Sequence, residues 1–178
     1  MDEPLFESTS NAIRFAFGYS TEQYGEGVLG KLTRRHAGSG KGLVGMDGAG
    51  QAGMVLAEVW RLKPLERAAI VARFATRRVA CPCCGGDQPT AVWREAIEQL
   101  ADWCVPSGAS NLRCRRDLVA KHFGVGAEFS ALADRYRLNR KTLSEHYYAM
   151  RSRLDDLEAQ AQLAVDDAFK ASGVVQSS

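Results

Sequence analysis

Residues 128–153, EFSALADRYRLNRKTLSEHYYAMRSR, place apolar side chains at helical spacing twice, with a break between the two runs. The first stripe is Phe129, Leu132, Ala133 and Tyr136; the second is Leu143, Tyr147, Met150 and Leu154. Leu138-Asn139-Arg140 interrupts the pattern, so the stretch reads as two helices joined by a tight turn. The second opens with polar and basic side chains, Lys141, Thr142, Ser144, Glu145 and His146. That is the layout of a helix-turn-helix whose second helix lies in a DNA major groove. A tight helical hairpin in any all-α protein has the same pattern. Many such turns place Gly where a positive φ is needed; here Arg137 stands there, and Asn139 is the residue expected to turn left-handed.

Charge separates the two readings. From Leu112 to Arg153 there are ten Lys and Arg against four Asp and Glu, a net of +6 in a chain whose total is +2. The rest therefore carries −4. Concentrated positive charge is what a phosphate-contacting surface requires.

With 178 residues, 46% of them hydrophobic and 25% charged, the chain has enough to bury one good core or a compact body with a small module. No apolar run approaches the ~20 residues that cross a bilayer, and the acidic, polar MDEPLFESTS start is not a secretory signal. Five cysteines at irregular spacing do not suggest a disulfide framework. Cys81-Pro82-Cys83-Cys84-Gly85-Gly86 has the shape of a zinc knuckle instead: two thiolates grip one ion, with Pro setting the turn and Gly letting the amides bend toward sulfur. The expected ligands are Cys81, Cys84, Cys104 and Cys114, with Cys83 and His122 as alternates. Cys104 and Cys114 lie further apart than a second Cys-x-x-Cys knuckle would have them. A closed shell of this kind makes the metal, expected to be zinc, structural. The alternative is a turn of reduced thiols.

Read in order, residues 1–48 are expected as an N-terminal arm and flexible loop. Ile13, Phe15 and Phe17 alternate as in a strand while Ala12 and Ala16 favour a helix, and 27–35 holds a short helix. The Gly-rich passage 38–53 is not a phosphate loop, because Arg35 stands where Gly is needed and Gly42 where Ser or Thr would hold magnesium. It is a surface loop ending near Asp47 as a cap, or a backbone contact to phosphate through Lys41. Helices follow over 50–61, 64–75 (Pro64 at the first position), 90–103 (capped by Thr90) and 112–123. In the last, Leu112, Leu118, Val119 and Phe123 point inward and Arg113, Arg115, Arg116 and Lys121 outward. Trp60, Trp93 and Trp103 are expected in the core. Beyond Arg153 the apolar stripe continues, so the second helix extends or a further one packs beneath it. The domains are thus a helical body over 49–170 with a zinc module inserted at about 79–114, and a disordered tail over 171–178.

LKPLERAAIVARFA (62–75) followed by SALADRYRLNRKTLSEHYYAMRSRL (130–154) resembles the bacterial sigma-factor region that reads the promoter −35 element, here split by about fifty residues holding the cysteine motif. A sigma-like helix-turn-helix interrupted by a zinc-binding insertion is similar to the late-gene antitermination proteins (Q type) of lambdoid phages. The resemblance implies an all-α fold and a factor that binds double-stranded DNA near a late promoter. It then joins paused host RNA polymerase, in the bacterial cytoplasm, so that transcription passes terminators. By that analogy Asn139, Arg140, Lys141, Thr142 and Glu145 fall on the base-reading end of the recognition helix, with Ser144 and Tyr148 beside them. Arg113, Arg115, Arg116 and Lys121 face the DNA backbone or the polymerase. A repressor or activator that leaves polymerase unmodified is the alternative in the same class. A zinc-dependent nuclease or hydrolase would use Glu95 or Asp102 as base. The chain has no His-x-Glu or His-Glu-x-x-His, and His36, His122 and His146 are scattered, so no enzyme, membrane or small-molecule role is expected.

Overall fold

The computed structural model describes residues 6–25, 46–81 and 83–175. Among them are seven helices and one two-stranded sheet: α1 (Thr9–Gly25), α2 (Met46–Arg61), α3 (Pro64–Phe74), β1 (Arg78–Ala80), β2 (Asp87–Pro89), α4 (Ala91–Trp103), α5 (Leu112–His122), α6 (Phe129–Tyr136) and α7 (Arg140–Ala171). The chain is mainly α, as its periodicity implies. The expected helix at 27–35 and the first half of the Gly-rich passage, 38–45, lie outside the described residues. Within that passage α2 begins at Met46, ahead of the expected cap at Asp47.

The helix boundaries have local causes. Pro64 sits at the first turn of α3, where an N–H would have no partner. Thr90 caps α4 by accepting from the Trp93 N–H at 3.3 Å, and its hydroxyl donates to the Thr76 carbonyl at 2.7 Å. Asn111 caps α5 through the N–H groups of Arg113 and Cys114. Gly108, in the loop between them, lies against α7; a Cβ there would stand 2.7 Å from Met150 Sδ.

α7 is the spine. Leu143, Met150, Leu154, Leu157, Ala161, Val165 and Phe169 form one buried stripe along its 32 residues. Each large member contributes on the order of 2 kcal/mol by leaving water. α3 packs on α4 and α7, α5 on α4 and α7, and α6 on α7. The segment expected as an inserted module is therefore two things, a surface hairpin and a core helix. Trp93, Ala96, Ile97, Leu100 and Ala101 of α4 are all buried, and the indole N–H of Trp93 donates to the Ala72 carbonyl. Trp60 departs from expectation: it is 44% exposed, its ring alongside Arg67, whose guanidinium donates to the Trp60 carbonyl.

Both chain ends differ from the sequence reading. Where an arm is expected, α1 buries Ala12, Ile13, Ala16 and Phe17 on one helical face, and Phe15 packs between Phe6 and Tyr19. Where a tail is expected from 171, Val174 is buried and Val175 bridges Phe6 in parallel.

One carboxylate ties three helices. Arg73 of α3 donates to both oxygens of Glu158 on α7, at 2.7 and 2.6 Å, and His122 Nε2 of α5 lies 2.8 Å from Oε2. Burial pushes the Glu158 carboxyl up, but the hydrogen bonds from His122 and Arg73 outweigh it and hold its pKa below the usual range. A depressed folded-state pKa adds stability that is present above the unfolded value of about 4.3 and is lost as pH falls through the folded one. Glu158→Gln should therefore cost about 2 kcal/mol at neutral pH, and thermal melts of variant and wild type should converge in acid.

Candidate nucleic-acid interface and thiol cluster

α6 reaches its place through α5. Asp117 accepts from the Tyr136 hydroxyl at 2.7 Å and from Arg135 Nη1 at 2.8 Å. Burial, with that hydrogen bond, pushes the Tyr136 phenol up to about 12. Leu132 and Ala133 are buried, and Phe129 meets Tyr147 edge to face at 5.2 Å between ring centroids.

Three residues, 137–139, connect α6 to α7. Arg137 takes the left-handed conformation (φ 52°, ψ 41°), and Asn139 does not: it is extended and caps α7 by accepting from the Lys141 N–H at 2.8 Å. The assignment reverses the sequence expectation for a physical reason. A residue cannot supply both the αL turn that ends one helix and the extended N-cap that starts the next. A non-glycine αL residue costs about 1–2 kcal/mol, which the surrounding packing absorbs.

The sequence-predicted DNA-binding residues divide into two groups. Asn139, Arg140, Lys141, Glu145 and Tyr148 are exposed at the start of α7, Tyr148 by 60%. Thr142 and Ser144 are half-buried beside them, and the Ser144 hydroxyl donates to the Arg140 carbonyl. Arg140 and Lys141 have no ion pair among the described residues. The α5 group fares differently. Arg113 is exposed, but Arg116 pairs with Glu98 at 3.2 Å, and Lys121 donates to the Ala127 carbonyl with its ammonium over the Phe129 ring. Arg115, expected outward, is 6% exposed and donates to the carbonyls of Ala101, Ala109 and Ser110 at 2.8–3.0 Å. The loop after α4 folds inward and leaves those carbonyls without helical partners, and a guanidinium is the side chain with enough donors to satisfy them. A signal was present: Cys114, Arg115, Leu118 and Val119 share one helical face.

The metal-ligand expectation changes as well. The sulfurs of Cys81, Cys83 and Cys84 lie within 4.8 Å of one another at the tip of the β1–β2 hairpin, a group able to hold a metal ion. Its turn closes through Cys81 N–H to the Gly86 carbonyl and Gly85 N–H to the Cys81 carbonyl, with Gly85 at φ 69°. Cys104 and Cys114 are not in that group; both are fully buried, on the C-cap of α4 and the inner face of α5, packed as small apolar side chains. His122 is not in it either, its Nε2 being spent on Glu158. Cys83, an alternate on the sequence, takes the place of Cys104 and Cys114. The Cys83 side chain, 2.9 Å from Cys81 Sγ, pulls the Cys81 thiol down to about 7, whereas burial pushes Cys104 up to about 11. In metal-free folded protein, alkylation mapped by mass spectrometry should label Cys81 with a midpoint near pH 7 and spare Cys104; Cys83→Ser should move that midpoint upward.

A cleft of about 350 Å³ between α3 and α7, lined by Ile70, Arg73, Phe74, Glu158 and Gln162 among others, includes none of the cysteines. Among the described residues no helix is long and apolar enough to cross a membrane. No family model and no curated protein matches this chain.

Proposed function

We propose that this chain is a sequence-specific DNA-binding transcription regulator, with α6 and α7 acting as a helix-turn-helix. What supports the reading is one observation: the start of α7 holds exposed Asn139, Arg140 and Lys141, the two cations in no ion pair among the described residues, on a helix whose remaining length is fixed in the core. Arg140 and Lys141 donate to guanine O6 and N7, Asn139 caps the helix with Oδ1 and approaches adenine with its amide, and Tyr148 lies further along the same helix. Arg113 supplies a backbone contact.

The sigma-like pair of segments extends the proposal to antitermination: binding near a phage late promoter, in the cytoplasm of the bacterial host, and modification of paused RNA polymerase. A repressor or activator without polymerase contact uses the same interface. Run-off transcription past a terminator separates them, since an antiterminator changes the fraction of long transcripts and an activator changes initiation. A zinc-dependent nuclease or hydrolase is the minor alternative, and its place would be the α3–α7 cleft, where Glu158 also belongs to a group, with His122 and Asp155, able to hold a metal ion.

In the same proposal, Cys81, Cys83 and Cys84 supply three thiolates to a zinc ion that stiffens the hairpin, with no fourth protein ligand among the described residues. Purified protein should then carry about one equivalent of zinc, retained in Cys104→Ala and lost in Cys84→Ser, by elemental analysis.

Binding tests the central assignment. On an operator selected from a random duplex pool, Arg140→Ala should weaken affinity by about 1–3 kcal/mol and relax one base position. Arg115→Ala should lower the melting temperature instead, with the salt dependence of DNA binding unchanged. Equal, unaltered binding of operator and random DNA by Arg140→Ala contradicts the proposal.

A further inference from the structure

Arg137 combines two features that the packing does not explain. It is the non-glycine residue with positive φ among the described residues, in a position that glycine fills without steric cost. Its guanidinium, unlike that of its neighbour Arg135, has neither an ion pair nor a hydrogen bond among the described residues, and the side chain is exposed. Two backbone N–H groups of the turn are already committed, Arg137 to the Asp134 carbonyl at 3.3 Å and Leu138 to the Ala133 carbonyl at 3.0 Å. Those two amides are unavailable to an anion, so a ligand beside Arg137 is met there by its side chain. Arg140 and Lys141, three and four residues on, are exposed and unpaired too. The turn thus gathers three free cations at one end of α7.

Strain retained where a relaxed residue would serve is informative when the side chain has a task outside the fold. We infer that Arg137 is a nucleic-acid phosphate contact, clamping the sugar-phosphate strand that borders the groove read by the first turn of α7. This rests on the DNA-binding reading and adds to it a residue that fixes register without reading sequence. A guanidinium suits the task, since it meets two phosphate oxygens at once and keeps its charge at every physiological pH.

The test measures DNA affinity and thermal stability on the same variants, with full-length protein and a mixed-sequence duplex, between roughly 50 and 200 mM salt. Arg137→Gly relaxes the αL residue, so its melting temperature should equal or exceed the wild-type value. Its plot of log K against log salt should nevertheless be shallower by about 0.9, the loss of one neutralised phosphate. Arg137→Lys should keep the wild-type slope. A purely structural Arg137 predicts the reverse: a lowered melting temperature with an unaltered slope in Arg137→Gly, which overturns the inference. If the wild type shows a steep slope that Arg140→Ala reduces and Arg137→Gly does not, the inference fails and the DNA-binding reading stands. If wild-type protein binds the duplex with no salt dependence at all, both fall together.

Discussion

The buried stripe of α7 positions everything proposed for its exposed end. Leu143, Met150, Leu154, Leu157, Ala161, Val165 and Phe169 are covered by other helices, so a 32-residue helix is held along most of its length. A short helix of the α6 kind is marginal in water by itself; it gains a fixed place by packing on α7 and by the hold of Asp117 on Tyr136 and Arg135. The first turn of α7 inherits that rigidity. Side chains there need little further ordering to reach a ligand, which is the condition for precise recognition by a few contacts.

Electrostatics completes the arrangement. Of the ten basic residues between 112 and 153, most are used within the fold: Arg115 by three carbonyls, Arg116 by Glu98, Arg135 by Asp117, Arg151 by Asp155. Arg153 lies over the Trp103 ring and donates to the Ser107 hydroxyl. Arg113, Arg137, Arg140 and Lys141 are left to solvent. The local charge that the sequence advertises is thus sorted by packing, and three of the four free cations gather at the α6–α7 turn. The same sorting separates the cysteines: two become core side chains with thiols resistant to ionisation, and three collect on a hairpin where a thiolate forms readily.

Much of this was legible in the residues. Pro64, Thr90 and the paired apolar stripes around 138–140 mark helix ends by hydrogen-bonding and steric rules that act within a few residues, and the structure follows them. What was not legible depends on distant partners. Arg115 looks like one more outward cation until the carbonyls of 101, 109 and 110 arrive beneath it. Cys104 and Cys114 have a ligand's chemistry and a core residue's location, and only tertiary packing decides between them. Asn139 was suited to two incompatible conformations, and the N-cap hydrogen bond to Lys141 settled which it adopts. In α1, alternation and helical spacing coexist, and burial against α2 favours the helix.

The claim on which the account rests is that the α6–α7 turn is the surface that meets DNA. Amide chemical-shift mapping of the full chain against a mixed-sequence duplex tests it most directly. The account predicts shifts concentrated from Arg137 to Tyr148 and at Arg113, diminishing as salt is raised. Shifts confined to the hairpin at 81–86 or to the α3–α7 cleft, with the turn unmoved, would contradict it.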